Sequence, residues 1–172
     1  MADFTRFEEY QRLIDDTARI TDRRQNTSNI YVTVNSLLLA AIGLLMKDLG
    51  ISGTWILLLP LPLVIAGIAV SLWWYQLIRQ YKALIKLRID TLRMLERQPE
   101  MAGAVKIYHV EDQLYPRDAS GNLIPGKGLN FSDLEARLPW LFMLLYSVLG
   151  FGILTAFSWQ GARALLEAIG LP

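Results

Sequence analysis

The chain has 172 residues, of which 53% are hydrophobic and 19% are charged, and its formal net charge is +1. It is too apolar for an ordinary soluble domain and too charged for a protein buried wholly in lipid, so a membrane protein with a water-facing part is indicated. The absence of cysteine excludes disulfides and thiol catalysis. A single histidine excludes a histidine-rich metal site within one chain.

Residues 1–27 predict a water-facing amphipathic helix. Side chains of one face recur at three- and four-residue steps, at Phe4, Phe7, Tyr10, Ile14, Ala18 and Thr21. The stretch is acidic and amphipathic rather than a basic stub before an apolar run, so no cleavable signal peptide is expected.

Three segments are apolar enough to cross a bilayer, which takes about 20 residues. They run roughly over Ile30–Met46, Thr54–Leu77 and Leu138–Trp159. The first two form a predicted transmembrane hairpin over 28–77, and a third transmembrane helix follows at 138–159, with a short tail at 160–172. Tryptophans fall at or near the predicted ends, as interfacial anchors do, at positions Trp55, Trp73, Trp74, Trp140 and Trp159.

The positive charges predict the orientation. Fifteen of the seventeen Lys and Arg residues lie in 1–27 and 78–137. The positive-inside rule therefore places both segments in the cytoplasm and the C-terminus outside. The expected location is the bacterial inner membrane.

Residues 78–137 predict a cytoplasmic helical region followed by a loop. An apolar stripe continues from the second span, at Ile78, Tyr81, Ile85, Ile89, Leu92 and Leu95, and no Pro or Gly interrupts between Gly67 and Pro99. Basic residues occupy the opposite side; Arg79, Lys82 and Lys86, nearest the membrane, are solvated or contact anionic lipid headgroups. Residues 100–115 can form one more helix, and Ser132 with Glu135 has the spacing of a capping box.

No motif indicates an enzyme or a cofactor. His109, Glu111 and Asp112 do not share one helix face, and "GKG" at 126–128 lacks the strand and the Ser/Thr of a P-loop. Acids nearly balance the cytoplasmic bases, so nucleic-acid binding is not expected. An unidentified protein partner is left open.

Small and polar residues form a stripe on the first span that predicts helix packing. The stripe contains Asn29, Thr33, Ser36, Ala40 and Gly43. Small residues allow close helix approach, and Asn, Thr and Ser can hydrogen-bond between helices in lipid. Similar small residues in the other spans are Gly67, Ser71, Ser147 and Gly150. Three spans bury little surface among themselves, so these nine positions are expected to pack subunits of a homo-oligomer.

Asn35 lies off this stripe, several residues into the first span. An intramembrane polar group of this kind faces another subunit or a water-filled lumen, or else makes a hydrogen bond within its own chain. The sequence leaves these alternatives open.

Three stretches, "ARITDRRQNTSNIYVTVNSLLLAAIG", "WWYQLIRQYKALIKLRIDTLRMLE" and "DLEARLPWLF", together resemble the RipA family of octameric bacterial membrane proteins. The matching positions are Arg23, Arg24, Asn29, Asn35, Trp74, Tyr81, Lys82, Leu84, Glu96, Glu135 and Pro139. "IKLRID" departs from the family pattern. The resemblance implies an inner-membrane homo-oligomer, eightfold in number, with no biochemical activity attached. In layout alone the chain is also similar to two-span SLATT-type effectors of bacterial conflict systems, which implies a pore.

The sequence therefore predicts an all-α integral membrane protein with three transmembrane helices, a cytoplasmic helical bundle and a homo-oligomeric assembly. Two functions compete. The assembly is a structural scaffold in envelope or stress physiology, or it is a gated pore, such as a membrane-disrupting defence effector.

Overall fold

The computed structural model describes residues 6–47, 58–101, 103, 106–116 and 135–169. Within these ranges four α-helices follow one another: α1 (Arg6–Lys47), α2 (Leu61–Glu96), α3 (Ile107–Leu114) and α4 (Leu138–Ala168). A short 3₁₀ turn, Pro99–Met101, lies between α2 and α3. Within these ranges no strand occurs, which confirms the all-α class.

Three of the helices, α1, α2 and α4, are long and apolar enough to cross a membrane. The first and third predicted spans lie inside α1 and α4. The start of the second span, Trp55 and most of the predicted hairpin turn fall at 48–57, outside the described residues.

The predicted N-terminal helix and the first span are one continuous helix, α1, of 42 residues. No Pro or Gly precedes Gly43 within it, so nothing in the sequence ends the helix near residue 27. The part of the second span from Leu61 onward and its basic extension are likewise one helix, α2.

The last helix differs from the sequence-based boundaries. α4 continues past Trp159 to Ala168, through residues expected to form a short tail. That stretch contains Ala, Leu, Arg and Gln, which are strong helix formers, and they outweigh the single Gly161. Pro139 lies in the first turn of α4, where its missing N–H costs no helical hydrogen bond.

The chain divides into two compact units. We call 1–27 with 77–136 the polar unit, and 28–76 with 137–172 the span unit. The core of the polar unit contains Tyr10, Leu92, Leu95 and Met101. This core confirms the inward face of the stripe predicted along α2.

The span unit has its own core, which contains Ile42, Val64, Tyr146 and Ile153. Most of its apolar surface nevertheless stays uncovered. Only 11% of the residues in the most apolar stretch of α1 are buried within the chain, and the shares for α2 and α4 are 28% and 17%. The remainder is available to lipid or to other chains.

Candidate functional site: two buried polar clusters and an exposed stripe

Three helices of the span unit meet at Asn35, which has no exposed surface. Ser71 of α2 donates its hydroxyl hydrogen bond to Oδ1 of Asn35 at 3.0 Å. The Asn35 amide nitrogen donates to the backbone oxygen of Tyr31 at 2.8 Å. From α4, the Tyr146 hydroxyl donates to the backbone oxygen of Asn35 at 3.0 Å. One residue therefore links α1, α2 and α4.

The expectation that Asn35 faces a lumen or a neighbouring subunit is wrong. Both polar atoms of its side chain have partners inside the chain, and the hydrogen bond within the chain, the remaining alternative, is the one observed. In a bilayer no water satisfies a polar group, so an intrachain partner is strongly favoured.

Three of the small residues predicted to pack subunits instead pack this chain against itself. Ser71 is buried with Asn35. The ring of Tyr146 lies on Gly67 so closely that an added Cβ would overlap it. A Cβ on Gly150 would lie 3.2 Å from Cγ1 of Val64. The prediction of oligomer contacts is corrected for these positions, because close helix approach within the chain uses the same small residues.

The stripe on α1 lies on the outside of the chain. All five residues of the stripe are exposed, namely Asn29, Thr33, Ser36, Ala40 and Gly43. Ser147 on α4 is exposed as well. A Cβ built on Gly43 would meet nothing within 4 Å. The Thr33 hydroxyl donates to the backbone oxygen of Asn29 at 2.9 Å, and that of Ser147 donates to Met143 at 2.8 Å. This surface is free of bulky groups, and its role in subunit packing stays a prediction.

Trp74 is not an interfacial anchor. It is fully buried, stacks on Tyr31 with 5.9 Å between ring centroids, and donates its indole N–H to the Ser28 hydroxyl at 3.4 Å. A buried indole needs such a partner for its N–H. Trp73, Trp140 and Trp159 are exposed, as anchors require.

A second buried cluster, in the polar unit, surrounds Glu96 at the end of α2. The Tyr10 hydroxyl donates to Oε1 at 2.7 Å, and the backbone N–H of Tyr108 donates to the same oxygen at 3.0 Å. The backbone N–H of His109 donates to Oε2 at 3.1 Å, and its ring Nδ1 lies 2.5 Å from that oxygen. Glu96 has no exposed surface.

Glu96 acts as the cap of α3. The residue at the cap position, Lys106, makes no side-chain capping hydrogen bond. The Glu96 carboxylate instead accepts the free N–H groups of the first turn, where a negative charge is favoured by the helix dipole.

The electrostatics of the cluster favour a charged Glu96. Burial by itself raises the pKa of Glu96, but hydrogen bonds from His109, Tyr10 and two backbone N–H groups outweigh it, and the pKa lies below the usual value. Burial and the hydrogen bond to Glu96 raise the pKa of Tyr10 far above its usual value. Burial, with Glu111 nearby, also raises the pKa of Tyr108.

The sequence interpretation missed this cluster, because it considered His109 only together with Glu111 and Asp112. The ring of His109 is partly exposed and contacts Glu96, and the described part of the chain contains no group of three or more residues that could hold a metal ion. A signal was present. Glu96 follows Leu92 by four residues and so falls on the buried face of α2.

Further charged residues of the polar unit form ion pairs. Arg24 lies 3.3 Å from Glu135, and both side chains are largely buried. Ser132, the other half of the predicted capping box, lies outside the described residues. Arg88 lies 3.0 Å from Asp16 beside an open groove of about 410 Å³. The three basic residues predicted to meet lipid headgroups, Arg79, Lys82 and Lys86, are exposed on α2.

A comparison with models of protein families identifies the family of this chain. The model of the octameric membrane protein family (8xMP) matches residues 7–155. The chain belongs to this family. A search of curated proteins and a search of solved structures find no match. The membrane and octamer parts of the sequence-based resemblance are supported; neither the RipA family nor the SLATT-type effectors are among the findings.

Several positions singled out by that resemblance form the buried contacts of this 8xMP protein. Asn35, Trp74 and Glu96 have no exposed surface, and Arg24 pairs with Glu135. These residues therefore hold helices together within the chain, and the short motifs that contain them are explained by packing.

Replacing Asn35 tests the junction of the three spans. Asn35→Leu leaves the Ser71 hydroxyl without its acceptor. We therefore expect the free energy of unfolding of the purified protein to fall by about 0.6–2 kcal/mol. The measurement is thermal unfolding in detergent followed by circular dichroism. Thr155→Val is the control, because Thr155 is exposed, lies outside the α1 stripe and donates its hydroxyl hydrogen bond to Gly152 of its own helix; equal losses in both variants would contradict the assignment.

Replacing Glu96 tests the capping cluster. A carboxylate with a lowered pKa stabilises the fold fully above the unfolded value of about 4.3, and this stability is lost as pH falls towards the folded value. Glu96→Gln should lower the free energy of unfolding at pH 7 by about 1.5–3 kcal/mol. It should also reduce the further loss between pH 5 and pH 3 (roughly the range in which a Glu titrates).

The control for that measurement is Glu100→Gln, which removes the same charge at an exposed position of the same unit. Its unfolding curve should match that of the unchanged protein. A Glu96→Gln variant as stable as this control at pH 7 would show that the cluster contributes nothing.

Proposed function

We propose that this 8xMP protein assembles into a homo-octameric ring in the bacterial inner membrane and acts there as a structural scaffold without catalytic activity. The observation that carries the proposal is the exposed stripe of small and polar residues on α1, from Asn29 to Gly43. Such residues have no favourable contact with lipid tails but pack well against a neighbouring helix. The family description, octameric, supports the number of subunits.

The limited burial within one chain supports the same proposal. Among the described residues, no more than 28% of those in the most apolar stretch of α1, α2 or α4 are buried within the chain. Gly67, Ser71 and Gly150 are already used inside the chain, whereas the α1 stripe is not. A second copy that packs on α1 supplies the missing partner.

The proposed orientation places the polar unit in the cytoplasm, because it contains most of the positive charge. Arg79, Lys82 and Lys86 then lie on the part of α2 that follows the span, where anionic headgroups are within reach. The last residues of α4 lie outside.

We prefer the scaffold to the gated pore, because the residue that favoured a lumen is buried. Asn35 contacts its own chain and lines no path. The Glu96 carboxylate accepts two N–H groups of α3, which supports a capping role for this cluster.

Cysteine labelling tests the orientation. The chain contains no cysteine, so single thiols can be placed at exposed positions by Gln113→Cys in the polar unit and Glu167→Cys near the end of α4. In intact cells an impermeant thiol reagent should label the second variant and not the first. Labelling of Gln113→Cys with protection of Glu167→Cys would reverse the orientation.

Substitution of Gly43 tests the subunit contact. The Cβ that Gly43→Leu adds meets no atom of its own chain within 4 Å, so the fold of the chain should be retained. A contact with a neighbour should be overpacked at a cost of about 1–3 kcal/mol per interface. Native mass spectrometry should show smaller particles than the octamer formed by the unchanged protein.

Gly152→Leu is the matched control, because Gly152 on α4 is equally open and the added side chain is the same. It should leave the octamer intact. The same preparations, reconstituted into vesicles, separate the two functions. A scaffold gives no ion flux above empty vesicles, and clear flux from the unchanged octamer would favour the pore.

A further inference from the structure

The part of α2 in the polar unit has a second apolar stripe, which is exposed whereas the first is buried. Leu84, Leu87 and Met94 are 38%, 62% and 60% exposed. Their neighbours on the inward face, Leu92 and Leu95, belong to the core of the unit. A helix that is apolar on two faces is covered on both in a finished assembly.

The spacing of this outer stripe is that of a helix–helix seam. With Thr91, the positions follow one another by three, four and three residues: Leu84, Leu87, Thr91 and Met94. Residues that alternate by three and four positions in this way form the contact line between two packed helices, where the full repeat averages about 3.5 residues.

The short helix α3 repeats the pattern. Tyr108 packs against the core and His109 contacts Glu96, whereas Ile107, Val110 and Leu114 are 51%, 50% and 68% exposed. The exposed three are again spaced by three and four residues. The helix is therefore held by one side and presents an apolar side outward.

The outward side of α1 in the same unit is different. It carries exposed polar and charged residues, among them Gln11, Asp15, Arg19 and Asp22. Apart from Phe7, which is 51% exposed, the exposed large apolar side chains among the described residues of the polar unit lie on α2, on α3 or directly after α3. Apolar patches confined in this way mark binding surfaces rather than general exposure.

Lipid tails are a poor occupant of the α2 stripe. Lys86, Asp90 and Arg97 are exposed on α2 within a few residues of Leu87 and Met94. Placing such charges in hydrocarbon costs roughly 2.5–3.5 kcal/mol for each. A protein surface, which can leave these charges at its rim, fits the stripe better.

We propose that the outer stripe of α2 and the exposed face of α3 are the contacts between neighbouring copies of the polar unit. This inference rests on the proposed ring. A closed ring of eight needs two different surfaces on each subunit, because head-to-tail contacts are not self-complementary. The polar unit offers two such apolar surfaces, and the family's octameric description supplies a second copy as the occupant.

Thiol reactivity in two preparations tests this contact. Single thiols are introduced by Leu87→Cys on the stripe and by Gln11→Cys on the polar face of α1. Each variant is placed in lipid nanodiscs of one composition, loaded either with the octamer or with one chain per disc. The rate of reaction with an impermeant maleimide is then measured, after particle mass has been checked.

We expect Leu87→Cys to react several-fold more slowly in the octamer than in single-chain discs, and Gln11→Cys to react equally in both. Equal rates for Leu87→Cys in an intact octamer would overturn the contact and leave the proposed ring standing. Slow reaction in both preparations would assign the cover to lipid or to the chain itself. A particle that never exceeds one chain would instead overturn the proposed function.

Discussion

An amide in the interior of a membrane must find its hydrogen-bond partners in protein, and the span unit is arranged around that requirement at Asn35. An unsatisfied polar group in hydrocarbon costs several kcal/mol, about as much as a whole helix contact contributes. The two partners of the side chain come from α1 itself and from Ser71 of α2. The Tyr146 hydroxyl reaches the same residue's backbone only because Gly67 has no Cβ to hold its ring away. The positions of Ser71 and Tyr146, the register of their helices and the glycine at position 67 thus all follow from the buried Asn35.

In the polar unit a buried charged group, the carboxylate of Glu96, likewise takes its hydrogen bonds from several helices. Glu96 has no exposed surface, and a buried carboxylate is tolerated only when donors surround it. Its donors come from Tyr10 on α1 and from the first turn of α3. An isolated helix of eight residues is not stable in water, so α3 depends on this attachment. In each unit one buried acceptor residue joins three helices.

The sequence predicted the elements well and their neighbours poorly. Length and hydropathy were enough for the spans, and periodicity was enough for the inward stripe of α2. Periodicity assigns residues to faces of one helix, but it does not say which face a second helix takes. For that reason Asn35 and Thr33, both polar and two residues apart, could not be separated into buried and exposed positions. Gly67 and Gly43 look alike in sequence. An added Cβ would nevertheless overlap Tyr146 at Gly67, whereas at Gly43 it would meet no atom within 4 Å. Two of the partners of Glu96 are backbone N–H groups. Every residue except proline has such a group, so the sequence does not indicate which residues bind Glu96.

Each unit carries a surface that does not suit its surroundings, and the mismatch differs between them. On the span unit, Asn29, Thr33 and Ser36 are polar residues exposed where lipid is expected. On the polar unit, Leu87, Met94 and Leu114 are apolar residues exposed where water is expected. A lipid environment alone would relieve only the second mismatch, and water alone only the first. In the proposed octamer a second copy of the chain would relieve both, because small polar residues pack between helices in lipid and apolar residues pack between helices in water. The proposed octamer therefore accounts for both surfaces, in agreement with the octameric description of the family.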